Sequence, residues 1–323
     1  MIVSVIIPIY NLEPYIKNSV SSVLNQKFDG EIEVIVVDDG SVDNSLAVAE
    51  KLAAEDSRVK VIHQENRGVS AARNAGLDAA QGKYIMFVDG DDIIASNSVK
   101  LLIDGFEKSE NAVVSCGMHT RISSYEHKFD VLDVACDIAE IETVLERILL
   151  GRYDISACAK MFIREKIGNL RFCEGKRINE DKYFLFKYLL ENKGSVVNIN
   201  QNIYGYYVRE GSASNSCFTE KTLDMIYFSK EIEKDIKDEL PKLNKAARYN
   251  NIVAHLAVLK KIARSKAIRE NKKLYNDVKK ETVLLSYGVS KSFLREYMVE
   301  ILVLRVMPVL YPLCVRIFDI IKK

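Results

Sequence analysis

An alternation in the first third of the chain constrains the fold more than any other feature. Short β-branched runs take turns with longer stretches at helical spacing. Val3 to Ile9 is a continuous apolar run, after which Ile16, Val20, Val23 and Leu24 recur at the spacing of one helix face. The pattern repeats through a run at Glu33 to Val37, a helical stretch near Asp43 to Ala54, a run at Val59 to Ile62, a helix from Val69 to Ala79 and a run at Tyr84 to Val88. Strands and helices in this order predict βαβ units. The fold class is therefore α/β, a mainly parallel sheet with helices on both faces.

From Val113 to about Tyr207 the alternation loosens. Runs at Val113 to Gly117, Met161 to Ile163, Val196 to Ile199 and Ile203 to Val208 mix with helices at Ile141 to Leu150 and Lys182 to Glu191, which reads as the second half of the same sheet. Beyond Thr222 strand signals fade and helical periodicity runs on, broken near Pro241, Gly288, Pro308 and Pro312. The organisation expected is a domain over 1–220, divided near 115, followed by a helical module over 221–323.

Composition excludes several classes. Lys plus Arg number 46 against 45 Asp plus Glu, so no basic excess points to nucleic acid. Cys116, Cys136, Cys158, Cys173, Cys217 and Cys314 form no CxxC pair and read as reduced, mostly buried thiols. His63, His119, His127 and His255 show no paired ligand spacing. The apolar N-terminus lacks a basic leader and meets Pro8 early, which predicts a buried strand, a chain that stays in the cytoplasm, and no signal peptide.

In an open parallel sheet, ligands bind at the carboxyl ends of the strands. The polar residues there form a coherent set: Pro8, Tyr10, Asn11 and Glu13; Asp38, Asp39 and Gly40; Asn66, Arg67 and Gly68; Asp89, Gly90, Asp91 and Asp92. Carboxylates converging on one crevice repel unless a cation or hydrogen-bond donors meet them, and a metal is the economical partner. Asp89 and Asp91 flank Gly90, which leaves room for a phosphate to approach. All-oxygen ligation of this kind suits Mn²⁺ or Mg²⁺. The competing reading is an ordinary acidic turn.

Four segments in order, SVIIPIYN (Ser4 to Asn11), VVDDGSVDNS (Val36 to Ser45), NRGVSAARNAG (Asn66 to Gly76) and FVDGDD (Phe87 to Asp92), closely resemble glycosyltransferase family 2. The resemblance implies a GT-A fold and a nucleotide-sugar donor, with a UDP-sugar favoured, for bacterial surface polysaccharide assembly. It implies that 1–115 is the nucleotide-sugar-binding half and 116–220 the acceptor half. It places Pro8, Tyr10, Asn11 and Glu13 around base and ribose, with Asn66 and Gly68 beside them. Asp39 would meet uracil, Arg73 the nucleotide, Asp89 the ribose or sugar, and Asp91 the metal, with Asp89 and Gly90 beside it. Asp39 can accept a ring N–H that uracil has and cytosine lacks. The alternative for Arg73 is a surface salt bridge to Asp78 or a neighbouring residue.

Glu180 and Asp181 open the amphipathic stretch NEDKYFLFKYLLE. Carboxylates in a first helical turn are also favoured by the helix dipole, so capping is the alternative. By resemblance the pair is the catalytic-base motif, with Asp181 as base and Glu180 as its neighbour. The segment YGYYVREGSASNS (Tyr204 to Ser216) suggests a mobile loop, and the family places Arg209 and Ser214 of such a loop near the diphosphate. The chain has no tryptophan and so no QxxRW, the mark of processive members, which predicts transfer of one sugar to a saccharide or lipid-linked saccharide. In-line attack predicts inversion.

The tail from Met298 onward holds a charge-free stretch, Val306 to Val315, between Arg305 and Arg316. It is short of a spanning helix. It could lie on a membrane surface, or pack on its own domain or a second subunit. Two rivals to the transferase remain. A nucleotidyltransferase or dinucleotide enzyme would be expected to carry GxGxxG after the first strand, where Pro8 and Tyr10 stand. A non-catalytic binding module would have lost Asp39, Asp89, Asp91 and Asp181.

Overall fold

The computed structural model describes residues 2–129, 135–209, 218–265, 268–289 and 294–321. In chain order the elements are β1 (Ile2–Ile9), α1 (Ile16–Leu24), β2 (Glu31–Asp38), α2 (Ser45–Glu55), β3 (Val59–His63), α3 (Val69–Ala79), β4 (Tyr84–Phe87), β5 (Ile93–Ile94), α4 (Ser98–Glu107), β6 (Ala112–Ile122), β7 (Cys136–Glu140), α5 (Ile141–Leu149), β8 (Lys160–Ile163), α6 (Arg164–Ile167), α7 (Glu180–Glu191), β9 (Ser195–Tyr207), α8 (Asp224–Glu239), α9 (Asn244–Arg264), α10 (Lys272–Ser286), α11 (Met298–Val306) and α12 (Tyr311–Ile321). They group into two units, one of residues 1–145 and 155–212, the other of 146–154 and 213–323.

The strands of the first unit make one sheet in the order β3-β2-β1-β4-β8-β6-β9-β5, with β7 also paired to β9. β1 is parallel to both β2 and β4, and β2 to β3. After an exposed first residue, β1 and β2 are buried without interruption, as strands covered on both faces must be. α3 supplies part of that cover. Its Ser70, Ala71 and Ala72 are buried, and a Cβ added to Gly76 would come within 2.3 Å of Ile6 Cγ2, so the helix lies against β1 as closely as glycine permits.

Register puts the functional end in place. Ile9 pairs with Asp38 and Asp38 with His63, so β1, β2 and β3 stop at one level. β4 ends at Phe87 opposite Ile6, and Val88 to Asp92 carry the chain on to that level. At the opposite end Glu33, held by Ser4, Lys60 and the Gln81 and Gly82 N–H groups, ties β1 and β2 to the entry of β4.

Several sequence expectations change here. The two runs at 196–199 and 203–208 are one strand, β9, which bulges between Asn198 and Asn202 opposite Gly117 and then continues. α4 was not anticipated, although Val99, Leu102 and Ile103 bear the helical spacing and are its buried face. Of the five cysteines among the described residues, only Cys116 and Cys158 are buried, and Cys136, Cys173 and Cys314 are half-exposed.

In the second unit α9 is the central helix, with buried residues around most of its circumference, and α8, α10 and α12 pack on it. The breaks expected at Pro241 and Pro308 are short 3₁₀ turns. Pro312 breaks nothing. It sits in the first turn of α12, where a missing N–H leaves no hydrogen bond unmade.

Candidate active site

The loops after β1 and β2 are laced together by side chains. Asn11 takes a left-handed backbone (φ 53°); its N–H donates to Ser41 Oγ at 3.0 Å and its Oδ1 accepts the Val42 N–H at 2.9 Å. Glu13 accepts from Asn44 Nδ2 at 2.9 Å. Pro8 is buried inside β1, paired in register with Val37, while Tyr10 is exposed at the strand's end. Asp39 is buried and organises the next loop. Its Oδ1 accepts from Gln64 Nε2 (2.7 Å) and the Arg67 N–H (2.9 Å), and its Oδ2 accepts the Gly68 N–H (2.7 Å). Gly68 begins α3 at φ 93°, a conformation that favours glycine. Asn66 is exposed, with its backbone against Gly40, where a Cβ would come within 2.8 Å of the Asn66 nitrogen.

Arg73, on α3, is the hub. Its guanidinium is buried, meets Asp181 Oδ1 at 2.5 Å through Nη1 and Asp89 Oδ1 at 3.0 Å through Nη2, and stands 3.7 Å from Glu180 Oε1. The expected alternative, a surface pair with Asp78, is not what forms; Asp78 binds Arg171. Beneath Arg73 lies an aromatic floor. Phe172 is 5.3 Å from its Cζ and stacks at 4.0 Å on Phe184 of α7, and Phe87 meets both rings edge-on. Apolar bulk in α7 therefore seats its own acidic first turn. Asp181 also accepts the Ala157 N–H at 3.2 Å, so its carboxylate is turned to Arg73 and the loop before β8.

The turn after β4 is held from β9. Tyr204 accepts the Asp89 N–H at 3.0 Å and donates to Asp92 Oδ2 at 2.7 Å, while the Tyr207 N–H donates to Asp92 Oδ1 at 2.8 Å. Tyr125 stacks on Tyr207 at 4.5 Å and donates to the Asp91 carbonyl at 2.7 Å. Arg209 Nε pairs with Asp91 Oδ2 at 2.9 Å, beside the Tyr15 ring. The sequence reading set Asp92 among the strand-end carboxylates without giving it a role and missed Tyr125 and Tyr204; it counted 203–208 as a run of the sheet and Tyr204 to Ser216 as a mobile loop, and Tyr204 to Tyr207 end β9. The FVDGDD run did contain Asp92; nothing local in the sequence pairs it with a tyrosine over a hundred positions away. Ser214 lies outside the described residues.

Gly90 has a packing reason besides the one expected. A Cβ there would come within 2.7 Å of Ile9 Cγ2, 2.8 Å of Leu12 Cδ1 and 3.1 Å of the Pro8 carbonyl. The glycine lets the turn pack on the end of β1.

The site is short of positive charge. Asp89, Asp91, Glu180 and Asp181 meet the guanidinium groups of Arg73 and Arg209, Asp92 stands beside Asp89 and Asp91, and the buried Lys160 adds one further positive charge toward Asp181. Burial and the Asp89 charge raise the Asp91 carboxyl above its usual range and push Asp92 up to about 8. Burial and the Asp181 charge push Glu180 up to about 7, and burial raises Asp181 against the pull of Arg73. Such a deficit is what a cation or a cationic ligand relieves. Among the described residues no three His, Cys, Asp or Glu side chains form a metal cage by themselves.

Residues 4–167 match the family model for Glycosyl transferase family 2. The chain belongs to glycosyltransferase family 2. Within that family, glycosyltransferase GlyG of Streptococcus pneumoniae serotype 4 is 32% identical over 227 residues, 67% of this chain and 74% of the relative. The uncharacterized glycosyltransferase EpsJ of Bacillus subtilis strain 168 is 44% identical over 122 residues, 38% of this chain and 35% of that protein. The crystal structure of S. aureus TarS 1–349 in complex with UDP-GlcNAc superposes with a TM-score of 0.70 at 20% identity, covering 94% of this chain and 87% of that one. This family 2 transferase thus has the GT-A fold with C-terminal helices, as its motifs implied.

Proposed function

We propose that this transferase moves a single sugar from a UDP-sugar to a hydroxyl of a saccharide or lipid-linked saccharide, with inversion, in bacterial surface polysaccharide synthesis. The observation that carries the reading is Arg73, which draws Asp181 of α7 and Asp89 of the β4 turn to one point from segments far apart in the chain. Donor and acceptor carboxylates thereby face each other across one crevice. Asp181 takes the proton from the attacking hydroxyl; burial has raised its basicity, and Arg73 and the Ala157 N–H orient it. Glu180 stands beside it in the acceptor site. Pro8, Tyr10, Asn11, Glu13, Asn66 and Gly68 surround base and ribose. Asp39 holds that wall and keeps a lone pair on Oδ2 for the uracil N–H. Support for the uracil choice also comes from the like-folded TarS, crystallised with UDP-GlcNAc.

The unbalanced carboxylates fit a divalent ion, Mn²⁺ or Mg²⁺. Asp91 and Asp89 would hold it, the diphosphate supplying further oxygens. Bound there, it would neutralise charge that builds on the leaving diphosphate. Arg209, with Ser214 further along the same segment, would then serve the diphosphate.

Calorimetric titration of UDP with Mn²⁺, with EDTA and in Asp91→Ala tests the donor half. Binding that needs both the metal and Asp91 is the expected result; a folded protein that binds no UDP under any condition overturns the uracil assignment. Asp181→Asn should keep UDP affinity and lose about 10²- to 10⁴-fold in turnover.

A further inference from the structure

Helices α11 and α12 are apolar on two faces. One face, Ile301, Leu304, Tyr311 and Val315, is buried in the core of the helical unit. Val299, Leu302 and Val306 of α11, Val309 of the turn between the helices, and Leu313 and Ile317 of α12 are instead all exposed, Val309 at 87% and Val306 at 65%. A helix apolar all round is stable only when both faces are covered, and no described residue covers the second.

Among the described residues no single helix is long and apolar enough to span a membrane as the cover. α11 has 9 residues and α12 has 11. At ~1.5 Å per residue both fall far short of a hydrocarbon core about 30 Å thick. The chain also bends by 120° between them. Two short helices joined at so sharp a bend fit an interface plane.

Basic groups flank this face, while one exposed acid, Glu296, stands in the turn before α11. Glu300, the acidic residue of α11, is turned inward to Lys260 at 2.8 Å, with the Tyr311 hydroxyl at 3.3 Å. Arg305 and Arg316 are exposed, and the Arg305 guanidinium stacks 4.2 Å from the ring centroid of exposed Tyr287. An aliphatic face with a basic and tyrosine rim is the composition of an interfacial anchor. Protein interfaces instead enrich aromatic residues at their centre, whereas the exposed residues named above for this face are all aliphatic. We propose that α11 and α12 dock on the surface of an anionic lipid bilayer, the aliphatic face at the acyl boundary and Arg305 and Arg316 toward lipid phosphates. The proposal does not depend on the donor or the metal.

The test is sedimentation of the full chain with vesicles of phosphatidylcholine alone and of phosphatidylcholine mixed with phosphatidylglycerol. Wild type should pellet with the anionic vesicles. Val309→Ser with Leu313→Ser should weaken partitioning about tenfold or more, from the apolar surface lost, and Arg316→Gln should weaken it about fivefold. Thermal melts by circular dichroism confirm that the variants, changed at exposed positions, stay folded. Wild type remaining in the supernatant with both vesicles overturns the proposal. So does a dimer in analytical ultracentrifugation that the double variant abolishes while vesicle binding is absent, since a second copy would then be the cover.

Discussion

Replacing Arg73 by methionine keeps the buried stem and removes the guanidinium that Asp89 and Asp181 share. Breaking a buried ion pair from one side costs about 3–5 kcal/mol, because the partner charge stays buried without compensation. Here Asp181 loses a 2.5 Å contact and is 21% exposed, whereas Asp89, at 3.0 Å, is 37% exposed, so water screens part of its share. The expected loss at pH 8 is therefore near the lower end, about 3 kcal/mol. It must depend on pH. Arg73 already pulls down a Glu180 that stands at about 7, so without it the Glu180 and Asp181 carboxyls rise further. An acid whose pKa is raised in the fold is costless while protonated in both states. It destabilises progressively as pH climbs from its unfolded value to its folded one. The loss should thus be small near pH 5 and clearly larger at pH 8. Urea unfolding at both values, followed by circular dichroism since the chain has no tryptophan, measures it. Arg73→Lys should recover part of the loss, one ammonium being unable to fork between two carboxylates. A loss under about 1 kcal/mol at pH 8, or one equal at both pH values, would refute the argument.

Two further outcomes follow from the site. Gly90→Ala forces a Cβ onto Ile9, Leu12 and the Pro8 carbonyl and should lower stability by about 1–3 kcal/mol in the same urea assay; an unchanged midpoint would show that the turn has room. Turnover should fall as pH drops below about 7, where the Glu180–Asp181 pair takes up a proton. Glu180→Gln removes one of the two neighbouring acids, so the acid limb of the pH–rate profile should move to lower pH; a limb that stays in place would remove this pair from the proton transfer.

The sheet was legible because burial on both faces writes itself as uninterrupted runs, and the β1, β2, β3 and β4 segments and α3 lie where those runs and spacings put them. Past residue 112 the signal thins for a physical reason. β6, β8 and β9 are short, bulged or antiparallel, and a bulge such as that in β9 breaks the period that pattern reading depends on.

Sequence alone determined the fold class, the family, and which strand ends carry carboxylates, since periodicity and local motif are properties of neighbouring residues. Only the tertiary structure decided how those carboxylates are answered. Arg73 reaches Asp181 across 108 positions, Tyr204 reaches Asp92 across 112, and Arg209 comes back to Asp91. It also decided that Asp39 braces the start of α3 and that Gly90 packs on the end of β1. Charge compensation and steric fit act through space between segments far apart in the chain, so no local reading of the sequence contains them.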